Sequence, residues 1–410
     1  MCLGCFILKK ILSFLIVLSL LVCPVYATDT VTTVSAECDT TDLEIPLSTE
    51  TAATAIGQTL DIKAKSAILM EPQTGTVLYE ANSDEKLPPA SITKIMSLLL
   101  VMEALDRGDF TLDTQVSASE HACSMGGSQI WLEPGECMTV DELLKATVIA
   151  SANDACVALG ELIAGSEEGF VVLMNQRAAE LGMTNTSFVN CTGLDAEGHL
   201  TSAHDVAIMS CELIKHELIK KYSTVWMDSL RDGKSELVNT NKLVRFYKGT
   251  TGLKTGTTSI AKYCLSASAE RDGLSLVAVV LAGDTSSDRF EGAKKMLDYG
   301  FANYSFKEIP AELKEKEIEI SGGTEKKVGV EALDTVSILL PKTSTEEITR
   351  TTEWNSDITA PVKKGDILGY VNVFSGENQI GRIPITAKND LKKLTFGVSF
   401  GRILKGLFKL

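Results

Sequence analysis

The stretch "YKGTTGLKTGTTSIAKYCLSASAERDGLSLVAVVLAG", residues Tyr247 to Gly283, contains the features on which the fold assignment depends. Its second half predicts two adjacent strands, 263–269 and 274–282, joined by a turn at Arg271-Asp272-Gly273. Its first half contains Lys254-Thr255-Gly256, residue types that weaken a sheet rather than build one. A strand of a stable sheet needs another reason to carry these three residues.

Length and composition indicate a globular protein with more than one domain. The chain has 410 residues, of which 44% are hydrophobic and 23% are charged, enough for a large core and two domains. The formal net charge of −15 argues against nucleic acid as a partner.

The first 27 residues form a predicted signal peptide. Lys9 and Lys10 precede an apolar run, 11–22, and the sequence up to Ala27 fits a cleavage site. The run is shorter than a membrane-spanning helix usually needs, although an uncleaved anchor is an alternative. We therefore expect an exported protein. Residues 28–60 are threonine-rich and acidic, which predicts a flexible linker.

The cysteines predict no disulfide framework. Cys2, Cys5 and Cys23 lie in the predicted signal peptide, which leaves seven of the ten, without a Cys-x-x-Cys pair. This pattern indicates neither a zinc site nor a dense set of disulfides. We expect free buried thiols, with a Cys123–Cys137 disulfide as the alternative.

Residues 61–305 mix helix and strand patterns, which predicts an α+β domain. A strand pair with a turn at 72–75 comes first. A helix follows Pro88-Pro89 and ends at Gly108, and the capping-box pattern 139–142 begins another. Residues 306–388 alternate apolar and polar side chains between glycine-containing turns, which predicts a small all-β domain.

The end of the chain, 389–410, predicts an amphipathic helix. Its last twenty residues contain five basic and no acidic side chains. The apolar residues fall roughly on one helical face: Leu391, Leu394, Val398, Leu404, Leu407 and Phe408. A basic face on an otherwise acidic protein favours binding to an anionic membrane surface, and a packed terminal helix is the alternative.

The candidate nucleophile comes from a Ser-x-x-Lys motif. The motif occurs three times, so context must choose among Ser83/Lys86, Ser91/Lys94 and Ser259/Lys262. Only Ser91 lies where a helix is predicted to begin, with Lys94 one turn later on the same face. The helix dipole and a neighbouring amine can activate a hydroxyl there. On this motif alone, a simple N-cap serine is favoured.

Two further motifs change that weighting. Ser151-Ala152-Asn153 is the only Ser-x-Asn in the chain, and Lys254-Thr255-Gly256 is the only Lys-Thr-Gly. They follow Ser91 in order, 60 and then 103 residues apart. This ordered set is typical of class A β-lactamases and penicillin-binding proteins.

The sequence resembles the low-molecular-mass penicillin-binding proteins, which are serine-type D-alanyl-D-alanine carboxypeptidases. The likeness runs from about Ile62 to Tyr304, through "PPASITK", "LLKATVIASANDACVAL", "LGMTNTSFVNCTGL", "HLTSAHDVA" and "GLKTGTTSIAKYCLSASA". It implies a penicillin-binding/β-lactamase-like transpeptidase domain, an antiparallel sheet flanked by helices, over residues 61–305. The small all-β domain and the C-terminal amphipathic helix also resemble that family. Ala152 stands where the family commonly has glycine, a change that should leave the site usable.

The resemblance also implies catalytic roles. Ser91 would be the acylated nucleophile and Lys94 its general base. Ser151 would help proton movement, and Asn153 would hold the substrate amide. The backbone amides of Ser91 and Thr257 would form the oxyanion hole.

Substrate-binding roles follow from the same resemblance. Lys254 would place positive charge near the nucleophile and the terminal carboxylate of the substrate, and Thr255 would hydrogen-bond that carboxylate. Gly256 would let the substrate backbone lie close against the strand. Arg289 matches a family arginine that contacts the carboxylate.

The expected activity is removal of the terminal D-alanine from peptidoglycan stem peptides ending in D-Ala-D-Ala, at the outer face of the cytoplasmic membrane. β-Lactams would be covalent inhibitors, and no metal or organic cofactor is implied. The alternatives are a β-lactamase or transpeptidase of the same fold and a catalytically silent cell-wall-binding protein. No G-x-S-x-G or H-E-x-x-H motif is present, so we interpret as structural or loop residues all four histidines, His121, His199, His204 and His216.

Overall fold

The computed structural model describes residues 60–332 and 335–408, with side chains described as far as residue 403. The predicted signal peptide and nearly all of the predicted linker lie outside the described residues.

Residues 60–303 contain nine strands. In chain order they are β1 (Ser66–Glu71), β2 (Thr76–Ala81), β3 (Gln115–Ser117), β4 (Cys137–Thr139), β5 (Met227–Leu230), β6 (Ser235–Val238), β7 (Thr250–Thr258), β8 (Lys262–Arg271) and β9 (Leu274–Gly283). Five of them form one antiparallel sheet in the order β2-β1-β9-β8-β7. The predicted strand pair is therefore confirmed as β8 and β9. β7, which contains Lys254, lies at the edge of the sheet.

The helices of this region surround the sheet. They are α1 (Lys94–Arg107), α2 (Glu120–Cys123), α3 (Val140–Lys145), α4 (Asn153–Ala164), α5 (Glu167–Glu180), α6 (Ala203–Lys215), α7 (Lys220–Ser223), α8 (Leu243–Phe246) and α9 (Ser286–Asn303). A 3-10 turn, Ala90–Thr93, precedes α1, and a π-helical turn, Ala146–Ala150, follows α3. The predicted helix end at Gly108 and the predicted capping box at Thr139 are both confirmed.

The sheet is covered on both faces, which explains the continuous apolar run of β9. Neighbouring strand residues point to opposite faces, so Val279 and Val280 belong to different hydrophobic clusters. Val279 packs in the large cluster with α1, α4 and α6, whereas Val280 packs with Met296 and Leu297 of α9. β7 therefore has a helical layer on each side, and no strand among the described residues pairs with its outer edge.

The predicted small all-β domain follows α9. Its strands are β10 (Tyr304–Pro310), β11 (Glu317–Glu319), β12 (Lys327–Ala332), β13 (Thr335–Pro341), β14 (Ile348–Trp354), β15 (Ile367–Ser375) and β16 (Asn378–Ala387). Five form an antiparallel sheet in the order β11-β12-β16-β15-β14, and β10 pairs with β13. They enclose a hydrophobic core of their own. The last helix, α10, spans Phe396–Phe408.

The prediction that Leu391 belongs to the terminal helix is wrong. Leu391 is 3% exposed and packs in the core of the β domain. Its backbone pairs with Val362 through hydrogen bonds of 2.7 and 2.9 Å. The helical spacing of Leu391 is also compatible with a β-bridge that buries its side chain. The bridge is more stable here, because it also pairs two backbone groups that would otherwise lack partners. The helix begins at Phe396 rather than at residue 389.

The expectation of free thiols is confirmed for all six described cysteines, so the alternative disulfide between Cys123 and Cys137 is wrong. The expectation that they are buried is confirmed for four of them, whereas Cys123 is half-buried and Cys137 is exposed. Cys38 lies outside the described residues.

Candidate active site

The three sequence motifs meet between the edge strand β7 and the helical layer. Ser91 lies in the 3-10 turn and Lys94 is the first residue of α1, with 3.1 Å between Lys94 Nζ and Ser91 Oγ. Ser151 ends the π-helical turn, and its Oγ lies 2.8 Å from Nζ of Lys254 on β7. Asn153, two residues after Ser151, contacts the first pair, because its Oδ1 accepts a hydrogen bond of 2.6 Å from Lys94 Nζ.

Lys94 has the environment of a base. Its side chain is fully buried, and its ammonium group donates to Ser91, Asn153 and the backbone carbonyl of Thr192. Burial lowers the pKa of Lys94 to about 8, although nearby thiols and the carboxylate of Asp154 oppose the shift. A useful fraction of Lys94 is therefore neutral near neutral pH, and a neutral amine can accept the hydroxyl proton of Ser91.

Lys254 is buried beside the same site. Its Nζ donates to Ser151 Oγ and, at 3.2 Å, to the carbonyl of Thr255. Burial, followed by the positive charges of Lys94 and Arg289, lowers the pKa of Lys254 well below its ordinary value. An anion that binds next to Lys254 would stabilise its charged form, which burial makes unfavourable.

The turn at Ser151 places its hydroxyl in the site. Ser151 has φ 64°, in the left-handed region, where α4 begins two residues later at Asn153. Asn153 is fixed as well, because its Nδ2 donates to the carbonyl of Gly126 at 2.6 Å and its backbone N–H donates to that of Ser128. The amide that was predicted to hold the substrate thus also connects Lys94 to the 126–128 loop.

The packing of the protein itself leaves no space for a side chain at Gly256. A Cβ there would lie 2.8 Å from the carbonyl oxygen of Pro89 and 3.0 Å from the backbone nitrogen of Ser91. The prediction attributed the glycine to substrate backbone lying against β7. The structure shows a second reason, because the space that a side chain would fill is taken by the turn that contains Ser91, and the substrate role stays a prediction.

Arg289 reaches β7 from the opposite face of the sheet. It lies in the first turn of α9, and its Nη1 donates to the carbonyl of Gly256 at 3.0 Å and to Thr257 Oγ1 at 2.9 Å. Its Nε is buried without a hydrogen-bond partner among the described residues. Thr255, the remaining predicted binder, donates through Oγ1 to Thr240 Oγ1 at 2.7 Å.

The sequence reasoning missed Asp154, which positions the loop beside the site. Its fully buried carboxylate accepts hydrogen bonds from the backbone N–H groups of Ile130 and Leu132. The exposed Trp131 lies between them, with φ 60°. Asp154 follows the Ser-x-Asn motif directly, but an acid in the first turn of a helix is common and gave no sign of a contact with a loop more than twenty residues away.

A buried lysine that contacts a serine three residues earlier, with a second Ser–Lys pair nearby, is the arrangement expected of a serine hydrolase of the Ser–Lys type. Residues 50–285 match the family of D-alanyl-D-alanine carboxypeptidases. Residues 306–393 match the C-terminal domain of penicillin-binding protein 5. The chain therefore belongs to the D-alanyl-D-alanine carboxypeptidase family, the serine hydrolases that include the low-molecular-mass penicillin-binding proteins.

Individual relatives support this assignment. The chain is 46% identical to the D-alanyl-D-alanine carboxypeptidase DacF of Bacillus subtilis, over 82% of this chain and 87% of that protein. It is 33% identical to DacC of Escherichia coli, over 83% of this chain and 87% of that protein. The solved structure of penicillin-binding protein 5 from Haemophilus influenzae superposes with a TM-score of 0.73 at 29% identity, covering 82% of this chain and 99% of that one. The predicted family and fold class are confirmed.

The position of Gly256 predicts that Gly256→Ala impairs acylation more than folding. The new Cβ displaces the backbone of Ser91, and a misplacement of about 1 Å at a reacting group costs on the order of 100-fold in rate. The measurement is the rate of covalent labelling by fluorescent penicillin per folded molecule, together with the thermal unfolding temperature. Gly283→Ala is the matched control, since its Cβ would be tight against Tyr263 at the end of β9. Lower stability with an unchanged labelling rate in Gly256→Ala would show that the glycine serves the fold alone.

The lowered pKa of Lys94 predicts a pH profile. Because the neutral amine is the reactive form, the second-order rate constant for acylation should rise with pH and level off above about pH 8. Lys94→Arg keeps the positive charge but cannot lose its proton, so it should lower the rate by at least about 100-fold. A wild-type rate that stays constant through pH 8 would exclude Lys94 as the base.

Proposed function

We propose that this chain removes the terminal D-alanine from peptidoglycan stem peptides through an acyl-enzyme on Ser91. The observation that carries the proposal is the direct contact of Ser91 Oγ with a fully buried lysine whose pKa is lowered to about 8. A simple N-cap serine has no need of such a partner. Ser91 is also not an N-cap in the structure, because Pro89 caps the 3-10 turn and Thr93 caps α1.

Acylation begins when neutral Lys94 takes the hydroxyl proton of Ser91. Ser91 Oγ then attacks the carbonyl carbon of the penultimate D-alanine, and the negative charge moves to the carbonyl oxygen. The backbone amides of Ser91 and Thr257 stabilise that oxygen, because β7 and the nucleophile turn approach closely at Gly256.

The tetrahedral intermediate collapses when the peptide C–N bond breaks. The leaving amine of D-alanine needs a proton, and Ser151 delivers it, since Ser151 Oγ can be reprotonated by Lys254 at 2.8 Å. Once D-alanine has left, Lys94 gives up its proton to solvent and Lys254 takes one back. Water then attacks the ester carbonyl, Lys94 takes a proton from that water, and this proton passes to Ser91 Oγ as the ester C–O bond breaks. The products are free D-alanine and a peptide shortened by one residue.

Lys254 recognises the terminal carboxylate of the substrate. Its ammonium is buried and has only neutral hydrogen-bond partners among the described residues, Ser151 and the carbonyl of Thr255. Thr255 lies beside it on β7, and Arg289 adds positive charge behind the strand. An anion there stabilises the charged form of Lys254 that burial disfavours.

The proposal includes export and attachment to the membrane surface through α10. Phe396, Phe400 and Ile403 lie on one helical face and are 85%, 51% and 60% exposed. On another side of the helix, Arg402 donates to the carbonyl of Thr324 in the β domain at 2.6 Å. No helix among the described residues has the length and apolarity needed to pass through a bilayer. The exposed aromatic face suits a helix that lies in the interface.

Penicillin labelling tests the role of Ser91 directly. Mass spectrometry of the wild-type protein incubated with penicillin should show an adduct on the peptide containing Ser91, and Ser91→Ala should show none. The wild type should also release D-alanine from a peptide ending in D-Ala-D-Ala. An adduct elsewhere would exclude Ser91, and rapid turnover of the drug with no release of D-alanine would favour a β-lactamase.

The tail is tested by ending the chain after Leu394. This truncation removes α10 but keeps Leu391, which the β-domain core requires. The full chain should sediment with vesicles containing phosphatidylglycerol, and the truncated chain should stay in the supernatant with unchanged hydrolysis of a soluble peptide. A matched full-length variant, in which serine replaces Phe396, Phe400 and Ile403, should behave like the truncation. Equal sedimentation of all three proteins would contradict membrane attachment through this face.

A further inference from the structure

The residue before the nucleophile has a strained backbone. Ala90 has φ 50°, in the left-handed region, and is buried. This region is unfavourable for a non-glycine residue, so surrounding contacts must hold Ala90 there. The peptide that joins Ala90 to Ser91 contains the Ser91 amide, one of the proposed oxyanion donors. Whatever fixes the Ala90 carbonyl therefore also sets the direction of that amide.

The carbonyl of Ala90 is fixed by Thr93. Thr93 Oγ1 donates to it at 2.9 Å, one turn later in the same segment. Gly193 packs against this carbonyl so closely that a Cβ on Gly193 would overlap it. The Thr93 hydroxyl is fully buried and lies 2.8 Å from Nε2 of His199.

The hydrogen bonds of His199 define the direction of this chain of contacts. The backbone N–H of Val189 donates to Nδ1 of His199 at 2.9 Å, so Nδ1 is the unprotonated nitrogen. In the neutral ring, Nε2 then carries the proton and donates to Thr93 Oγ1, and the Thr93 hydroxyl donates to Ala90. Burial lowers the pKa of His199 to about 4, which keeps the ring neutral.

We propose that His199 and Thr93 form a positioning relay that orients the Ser91 amide for oxyanion stabilisation, an inference that rests on the proposed role of Ser91. The relay runs from the Val189 backbone through the imidazole and the hydroxyl to the carbonyl before the nucleophile. Both residues act through the Ala90–Ser91 peptide rather than by touching substrate. His199 comes from the segment that also supplies the Thr192 carbonyl to Lys94, so one segment positions both the base and the nucleophile.

Thr93→Val tests the relay because valine keeps the shape of threonine and removes the hydroxyl. The Ala90 carbonyl loses its donor and the imidazole loses its acceptor. The second-order rate constant for acylation by penicillin should fall about tenfold per folded molecule, less than the 10²–10³-fold cost of deleting an oxyanion donor. KM for the D-Ala-D-Ala peptide should change little while kcat falls. Thr93→Ser restores the hydroxyl and should restore most of the rate.

Two controls separate positioning from stability. Ser210→Ala removes another fully buried hydroxyl, which donates to the Val206 carbonyl at 2.7 Å. It should lower the unfolding temperature without changing the acylation rate. The nitrogen NMR signals of His199 should show the Nε2–H tautomer in the wild type.

Any of three results would overturn the relay. These are a wild-type acylation rate per folded molecule in Thr93→Val, a rate loss that Thr93→Ser does not restore, and the Nδ1–H tautomer of His199. In each case, a penicillin adduct on Ser91 of the wild type would still support the proposed function. If the wild type forms no such adduct, both the proposed function and the relay are contradicted.

Discussion

The site depends on burying two lysines next to one another without an acid in contact. Within the part of the chain that the structure describes, Lys94 and Lys254 donate only to neutral oxygens, those of hydroxyl, amide and carbonyl groups. The nearby carboxylate of Asp154 is occupied by backbone N–H groups. Burial without a counter-charge favours the neutral amine, and this supplies a base near neutral pH from a residue that is otherwise charged.

The fold supports this arrangement by making the surrounding backbone rigid. β8 and β9 are buried on both faces and hold β7 at the edge, where one side of the strand is open to a ligand. Ala90 and Ser151, on opposite sides of the site, both have left-handed backbone conformations. Strain of this kind persists only where neighbouring contacts determine the conformation, and it is common at functional sites. The packed sheet and helices thus stabilise two turns that would be unfavourable alone.

Local patterns in the sequence predicted local structure well. The turn 271–273 between two apolar runs specified β8 and β9, and the Thr139 capping box specified the start of α3. These local patterns could not predict contacts between distant segments. Gly256 meets Pro89, more than 160 residues earlier, and nothing in either segment indicates which surface fills the missing side chain. The prediction for Leu391 was wrong for a related reason. Helical spacing alone does not distinguish one face of a helix from a β-bridge that buries a single leucine.

The ordered motifs predicted the contacts among the site residues because the resemblance carried the tertiary arrangement with it. Ser91, Lys94, Ser151, Asn153 and Lys254 do lie together. The residues that support them were not predicted. Asp154, Thr93 and His199 act through backbone groups, and backbone partners leave no pattern in a single sequence.

Two lysines allow the site to bind an anion and keep a base. A substrate carboxylate entering near a lone buried lysine would raise the pKa of that lysine, and the charged amine could not accept the serine proton. Here the carboxylate would be taken up by Lys254, whose Nζ contacts Ser151 rather than Ser91. The pair formed by carboxylate and ammonium has no net charge, so Lys94 is little affected and remains able to lose its proton. Because burial lowers the pKa of Lys254, binding of the carboxylate would favour its protonated form. In the proposed mechanism, protonated Lys254 would pass its proton through Ser151 to the departing amine, so recognition of the terminal carboxylate would also favour the acid needed in the step that follows.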